Sequence, residues 1–348
     1  MRKVTKTRKA SPERAAAAAG VLLVLLIFLL PLLWLAWRAG PPGGQAPADT
    51  PAPMLTPPPP GLSEGRDRAV SLRLLQADGT VVSLSLEDYL RGVVAAEMPA
   101  SFHPEALKAQ AVAARTYCLR KQGTVSQRHP QADVCTDFAC CQAYLPWEEA
   151  VARWGDEAPR YGEKVAMAVT ETDGLVCLYN GQPIDAVFFA SAAGRTSDAK
   201  SVWGNDVPYL VSVDSPEGEE VPGWHSEAVF TPEEFAEKLH AVHPEATLSG
   251  PASTWLSGLT TDASGAVDRL TVGDVTLTGP ELRSILGLRS AHFVPTATDE
   301  ALRFAVTGHG HGVGMSQYGA NALAAQGKDL REILSWYYTG VTIDFAPW

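Results

Sequence analysis

Apolar and polar residues alternate along this chain with different periods in different places. Residues 15–37, "AAAAAGVLLVLLIFLLPLLWLAW", carry no charged side chain. These 23 residues are long enough to cross a hydrocarbon core of roughly 30 Å as a helix. Pro31 lies within the run, where membrane helices tolerate proline. Farther on, "VSLRLL" and "VVSLSL" alternate with period two on either side of "ADG" and predict a hairpin. "SLEDYLRGVVAAEMP" then changes to helical spacing, with Ser85 as N-cap, Asp88 three residues on, and Pro99 as the stop. "PEALKAQAVAARTYCLRK", residues 104–121, predicts a second helix with Pro104 at its first position. Leu107, Ala111, Ala114 and Cys118 share one face of it, so Cys118 reads as a core thiol.

The remaining pattern mixes both periods. "RYGEKVAMAVTETDG" predicts a helix, and "LVCLYNGQPIDAVFFA" a hairpin turning at Asn180-Gly181, with Cys177 in its apolar run. "TPEEFAEKLHAV" predicts an amphipathic helix capped by Thr231. Residues 247–295 combine short strands with the helical "GPELRSILGL". A glycine-rich loop, "GHGHGVGMSQYGA", precedes helical "NALAAQG" and "KDLREILSWYYTG", with Gly340 as the C-cap. There is no regular strand–helix alternation and no internal repeat, so the expected class is α+β. We expect two lobes in the 66–348 region.

Charge divides the chain further. Residues 1–14 hold six Lys or Arg against one Glu, which the positive-inside rule places in the cytoplasm. The expected organisation is therefore a basic tail (1–14), a transmembrane signal anchor (15–37), a Pro-rich linker (38–65) and an extracytoplasmic domain (66–348). A cleaved signal peptide is the alternative, but its apolar region is usually shorter, about 7–15 residues. Residues 61–348 carry 21 bases against 37 acids, a surface that argues against nucleic acid.

Candidate chemistry begins with Glu97, a carboxylate in an apolar run at a helix end. Desolvation raises the pKa of such a group and suits it to proton donation near neutral pH. A surface Glu paired with a base is the bland alternative. Gln110 and Arg115 lie among apolar residues of the second helix, facing either a cleft or solvent. Arg195 follows a tight Gly194 turn, and Trp203 lies just beyond it. "GHGHGVGMSQYG" lacks a phosphate-binding Lys, and His309 with His311 makes an incomplete metal set. Its glycines either bring backbone amides, Ser316 and Gln317 to a polar ligand, or only let the backbone pass a tight place.

Four stretches together resemble one family. "AAEMPASFHPEALKAQAVAARTYCLR", "CCQAYLPW", "AGRTSDAKSVWGNDVPYL" and "GHGVGMSQYGANALAAQGKDLREILSWYYTGV" are similar in order and spacing to the stage II sporulation protein D family, with its LytB-like amidase-enhancer relatives. The resemblance implies a peptidoglycan lytic transglycosylase acting on peptide-stripped glycan strands around a glycan-binding cleft. It implies a SpoIIP-like amidase/endopeptidase and a SpoIIM-like membrane protein as partners, in engulfment of the forespore. It assigns the catalytic Glu to Glu97. Gln110, Arg115, Arg195, His311, Ser316 and Gln317 become candidates for lining the cleft. Many relatives carry His where this chain has Phe189.

The same resemblance bears on the cysteines. Some members hold a structural zinc through His-x5-Cys-x4-His-Cys, which His129, Cys135, Cys140 and Cys141 match with Cys140 in place of the second His. Both residue types are tetrahedral zinc ligands, so a four-ligand site survives the change. No metal is needed for the chemical step. A disulfide within "CTDFACC" is the alternative outside the cytoplasm, although the five cysteines leave at least one unpaired.

Overall fold

The computed structural model describes residues 65–122 and 126–346. The expected basic tail, membrane anchor and nearly all of the linker lie outside them. Among the described residues no helix is long and apolar enough to cross a membrane. The described part is a mixed α+β unit, as the patterning predicted.

A helical turn, α1 (Arg66–Ala69), leads into the hairpin β1 (Ser71–Leu75) and β2 (Val81–Ser85). These strands pair antiparallel, Leu72 opposite Leu84. β3 (Val134–Cys135) adds to β1 in parallel. α2 (Leu86–Glu97) starts as expected, with Ser85 accepting from the Asp88 amide. It ends at Glu97, two residues before Pro99, which disfavours helical backbone in the residue ahead of it.

α3 (Pro104–Lys121) runs through the larger hydrophobic cluster of the described residues. It packs against α2, α5 (Ala158–Thr170), α9 (Gln317–Ala325), α10 (Leu330–Tyr337) and β4 (Leu175–Tyr179). Leu107, Ala111, Ala114 and Cys118 are buried as predicted, but so are Gln110 and Arg115 on other faces. A helix enclosed on all sides has no solvated stripe, which explains its weak amphipathicity. Its alanines let five neighbours approach closely. α4 (Trp147–Trp154), unforeseen from the sequence, packs on α2 and α5 through Ala150 and the edge-on pair Trp147–Trp154.

β4 turns at Asn180-Gly181, both with positive φ (50° and 75°), into β5 (Gln182–Pro183), while β14 (Thr342–Phe345) closes its other edge. β6 (Phe188–Phe189) pairs in parallel with β13 (Met315–Ser316). α6 (Ala199–Trp203) follows. α10 ends at Tyr337 with extended Tyr338 as its cap. Gly340 stands beyond it in a left-handed turn, so the cap falls two residues before the predicted Gly340.

Residues 225–307 form their own hydrophobic cluster, separate from the one around α3. One sheet joins β7 (His225–Phe230), β12 (Leu302–Thr307) and β11 (Phe293–Ala297). A second joins β8 (Leu256–Thr261), β9 (Val267–Val272) and β10 (Val275–Thr278). Helices α7 (Pro232–His240) and α8 (Gly279–Leu286) both start with complete capping boxes, Thr231–Glu234 and Thr278–Glu281. Phe235, Phe293 and Phe304 centre this cluster.

Candidate functional site

Glu97 is half-buried at the C-terminal end of α2. Its Oε1 accepts the Ala143 backbone N–H at 2.7 Å, and its Oε2 accepts from Gln317 Nε2 at 3.2 Å. Desolvation raises its pKa above the ordinary carboxyl value, and these two hydrogen bonds offset part of the rise. No neighbouring charge contributes. Burial therefore keeps the proton on Glu97 to a higher pH than on a free carboxyl.

Each of the three segments around Glu97 is fixed by a distinct contact. α9 begins at Gln317, capped by Ser316, whose Oγ accepts the Gly319 amide. Gln317 Nε2 also donates to Gln110 Oε1 at 3.4 Å, so α3 sets the orientation of the amide that faces Glu97. Gln110 is fully buried, and its own Nε2 has no partner among the described residues. The third segment, residues 142–145, lies on α2: Leu145 donates to the Gly92 carbonyl at 3.2 Å, and Tyr144 stacks on Tyr89 at 5.5 Å. A Cβ at Gly92 would overlap the Tyr144 ring and stand 2.7 Å from the Leu145 carbonyl. Glycine inside a helix costs about 1 kcal/mol relative to alanine, and here it permits this close approach. Gly92 and Ala143 were not singled out from the sequence. The mid-helix glycine was the available signal for the first, but a backbone donor such as Ala143 leaves none.

Other candidates fall elsewhere. Arg115 is fully buried and bound bidentately to Asp67, with Nε–Oδ1 at 2.8 Å and Nη2–Oδ2 at 2.6 Å. Its remaining donors reach the Leu175 and Val169 carbonyls and Thr172 Oγ1. It staples α1 to α3 and β4 and presents no donor to a ligand, which corrects the expectation that it lines a cleft. Arg195 is exposed and paired with Asp214, with which its backbone also forms an isolated antiparallel bridge. His311 is largely buried between Phe189 and Trp203, with ring centroids at 5.6 and 5.4 Å. Its Nε2 donates to the Phe188 carbonyl at 3.0 Å and its Nδ1 accepts the Val313 amide at 3.2 Å. Burial lowers its pKa to about 4, so it is neutral at physiological pH and both nitrogens are engaged. Phe189 lies tilted against this ring. Ser316 is fully buried and donates to Glu217, a buried carboxylate overlooked in the sequence.

The glycine-rich loop gives a structural answer to its two readings. Gly308, Gly310, Gly312 and Gly314 all have positive φ. A Cβ on Gly310 would stand 2.7 Å from Phe189 Cβ, and one on Gly308 2.7 Å from the Ser191 carbonyl. These glycines let the loop pass directly over the backbone of residues 187–192.

His129, Cys135, Cys140 and Cys141 converge, with their ligand atoms all within 4.8 Å of one another. An Asp137 turn brings adjacent cysteines to one point: its carbonyl accepts the Cys140 and Cys141 amides at 3.0 and 2.8 Å. His129 Nδ1 bonds the Ala132 carbonyl at 3.1 Å, leaving Nε2 aimed at Cys141 Sγ, 3.3 Å away. Tetrahedral zinc needs donor separations of about 3.5–3.8 Å, so the quartet fits such an ion after a small contraction. The backbone partner on Nδ1 is the usual outer support of a metal-binding imidazole. All five cysteines are free thiols. Cys118 and Cys177 are fully buried, with pKa values pushed up to about 12, as expected of core residues.

A family profile described as SpoIID, stage II sporulation protein, matches residues 76–179. The chain is 37% identical over 283 residues to stage II sporulation protein D of Bacillus subtilis, covering 78% of this chain and 77% of that protein. It is 37% identical over 269 residues to the protein of the same name from Bacillus amyloliquefaciens, covering 77% and 76%. An amidase enhancer of Bacillus subtilis is 27% identical over 311 residues, 73% of this chain but 40% of that protein.

Proposed function

The chain belongs to the stage II sporulation protein D family, and on that premise we propose that it is a peptidoglycan lytic transglycosylase with Glu97 as its acid and base. The observation that carries this reading is the half-buried Glu97 carboxyl, whose pKa is raised by desolvation with no charged neighbour. Ordinary glycosidases use two carboxyl groups. A lytic transglycosylase manages with one, because the substrate supplies the nucleophile.

In the proposed reaction Glu97 donates its proton to O4 of the leaving N-acetylglucosamine as the glycosidic bond breaks. The resulting carboxylate takes the proton of the C6 hydroxyl on N-acetylmuramic acid, whose oxygen closes onto C1 as the 1,6-anhydro ring. The proton count is restored and no water enters. Gln317 and the Ala143 amide hold both carboxyl oxygens and stabilise the negative charge between the two transfers.

The reading extends to a protein anchored through residues 15–37, with its catalytic domain outside the cell membrane. It would act on peptide-stripped strands beside a SpoIIP-like amidase and a SpoIIM-like membrane protein during engulfment. His129, Cys135, Cys140 and Cys141 would hold a structural zinc ion. Four protein ligands close its coordination sphere, so its contribution is to hold the loop in place.

Glu97→Gln and Glu97→Ala, assayed on denuded glycan by mass spectrometry, test the proposal. Loss of anhydro-muramyl ends is expected, and their persistence would overturn it. The alternative, a non-catalytic enhancer of a partner amidase, draws on the likeness to the Bacillus subtilis amidase enhancer. It predicts no anhydro ends from the wild type and stimulation of the amidase.

A further inference from the structure

Glu217 makes a set of contacts that the proposed chemistry does not use. It is buried in the loop after Asp214, with 4% of its surface exposed. Its Oε1 accepts the Ala192 amide at 2.6 Å and the Ser316 hydroxyl. Its Oε2 accepts the Ser215 hydroxyl at 2.5 Å, and Ser215 in turn contacts Tyr337 OH at 2.7 Å. One carboxylate thus ties together the backbone after β6, the loop at 215–217, the start of α9 and, through Ser215, α10. A Cβ on Gly319 would overlap Tyr337 OH, Ser215 Oγ and Glu217 Oε2, so the first turn of α9 admits the cluster only because residue 319 is glycine. The helix N-terminus also favours a negative charge there.

Burying a carboxylate is costly unless donors surround it. What this one achieves is placement of Ser316, the N-cap of α9, and therefore of Gln317, the first residue of that helix. Gln317 is the side chain that reaches Glu97. A shift of the N-cap would rotate or withdraw the Gln317 amide, because the side chain spans to Glu97 from one fixed backbone position.

We infer that Glu217 is a positioning residue for Glu97: through the Ser316 cap it holds Gln317 where its amide donates to the Glu97 carboxyl. The inference rests on the reading of Glu97 as the proton donor, yet its test can be made without catalysis. Glu97 is faced by the Ala143 amide, the Gln317 amide and no charged group. Glu217 itself is faced by hydroxyl groups and one amide. Withdrawal of Gln317 therefore removes a hydrogen bond that stabilises the ionised form and moves the Glu97 titration upward.

The experiment is a carbon-13 NMR titration of carboxyl-labelled Glu in the folded domain, with the Glu97 signal assigned by its loss in Glu97→Gln. Gln317→Ala should raise the Glu97 midpoint, by on the order of half a pH unit, about threefold in the ionisation equilibrium. Glu217→Asp keeps the charge but cannot span Ala192 and Ser316, and should raise it similarly. Glu217→Gln keeps an acceptor oxygen for Ser316 and should return it towards the wild-type midpoint. Combining Glu217→Asp with Gln317→Ala should add nothing further. On glycan, Glu217→Asp should lower kcat with little change in KM. A folded Glu217→Asp protein with an unmoved Glu97 midpoint would overturn the inference, as would full additivity with Gln317→Ala. If Glu217→Asp does not fold, Ser316→Ala cuts the same link and is judged by the same midpoint. Failure of the catalytic reading would appear separately, as activity surviving in Glu97→Gln.

Discussion

The Ala143 backbone N–H lies 2.7 Å from Glu97 Oε1, two residues after Cys141 in the chain. The loop that gathers the His129–Cys135–Cys140–Cys141 quartet is therefore continuous with the segment that supports the carboxyl group. Leu145 and Tyr144 dock that segment onto α2, so quartet and carboxyl share one support.

Removing the Glu97 carboxyl should lower anhydro-product formation by about 10²–10⁴-fold, the usual contribution of general acid–base catalysis. In the wild type, activity should fall as pH rises through the raised Glu97 pKa, because the acid is then spent. Linkage runs in the same direction. From the ordinary value of 4.5 up to the raised folded value, the folded state holds a proton that the unfolded chain has lost, and stability falls with rising pH. Glu97→Gln should thus melt higher than the wild type above that window. Paired thermal melts across pH check the sign.

Gly92→Ala should force Tyr144 and Leu145 away from α2. A loss of about 1–3 kcal/mol in urea unfolding is expected, as for other overpacked sites. The same change withdraws the Ala143 amide, so the Glu97 titration should move upward. A stable Gly92→Ala protein with unmoved Glu97 would show that the loop does not support the carboxyl.

Arg115→Ala should act on stability, not on glycan affinity. It leaves Asp67 buried without its counter-charge, at a cost of about 3–5 kcal/mol. Chemical denaturation of Arg115→Ala and Arg115→Lys should show the loss, whereas KM for glycan measured below the melting range should stay near wild type.

Metal analysis of anaerobically purified domain should give one zinc per chain, and chelation should lower its melting temperature. Cys135→Ser should weaken retention of the metal. Zinc well below one equivalent, together with only three titratable thiols after unfolding, would instead establish a disulfide.

His311 should add no limb near pH 6–7 to any rate profile, since its pKa lies at about 4. Nitrogen-15 NMR at pH 6 should show a neutral ring protonated at Nε2, the tautomer that donates to the Phe188 carbonyl. A charged imidazole at that pH would contradict the burial seen between Phe189 and Trp203.

Local signals account well for the elements. Ser85, Thr231 and Asn180-Gly181 act in the structure as caps and turn in the way their chemistry dictates. The helical starts at Pro104 and Pro232 fall where Pro at the first position predicts. α4 was missed because it is only eight residues long and has no side-chain cap at its start. Gln110 and Arg115 were ambiguous for a different reason. Hydrophobic periodicity distinguishes a buried stripe from a wet one, and α3 is enclosed on every side, so its pattern carries no such contrast.

By itself the sequence determined the α+β class, the position of Glu97 at a helix end and the family, whose resemblance implied the set of His129 with the three cysteines. Each of these depends on neighbours in the chain or on long motifs read in order. Only the tertiary structure decided that Arg115 belongs to Asp67, that His311 is a buried neutral ring, and that Glu97 meets Gln317 from 220 residues away. It also brought out Gly92 and Ala143 on the Glu97 side, and Glu217 beneath the Ser316 cap. The physical reason is that a side chain's charge state and partners are set by what surrounds it in space, and hydrogen bonds to backbone amides leave no mark on the identity of the residue that donates them.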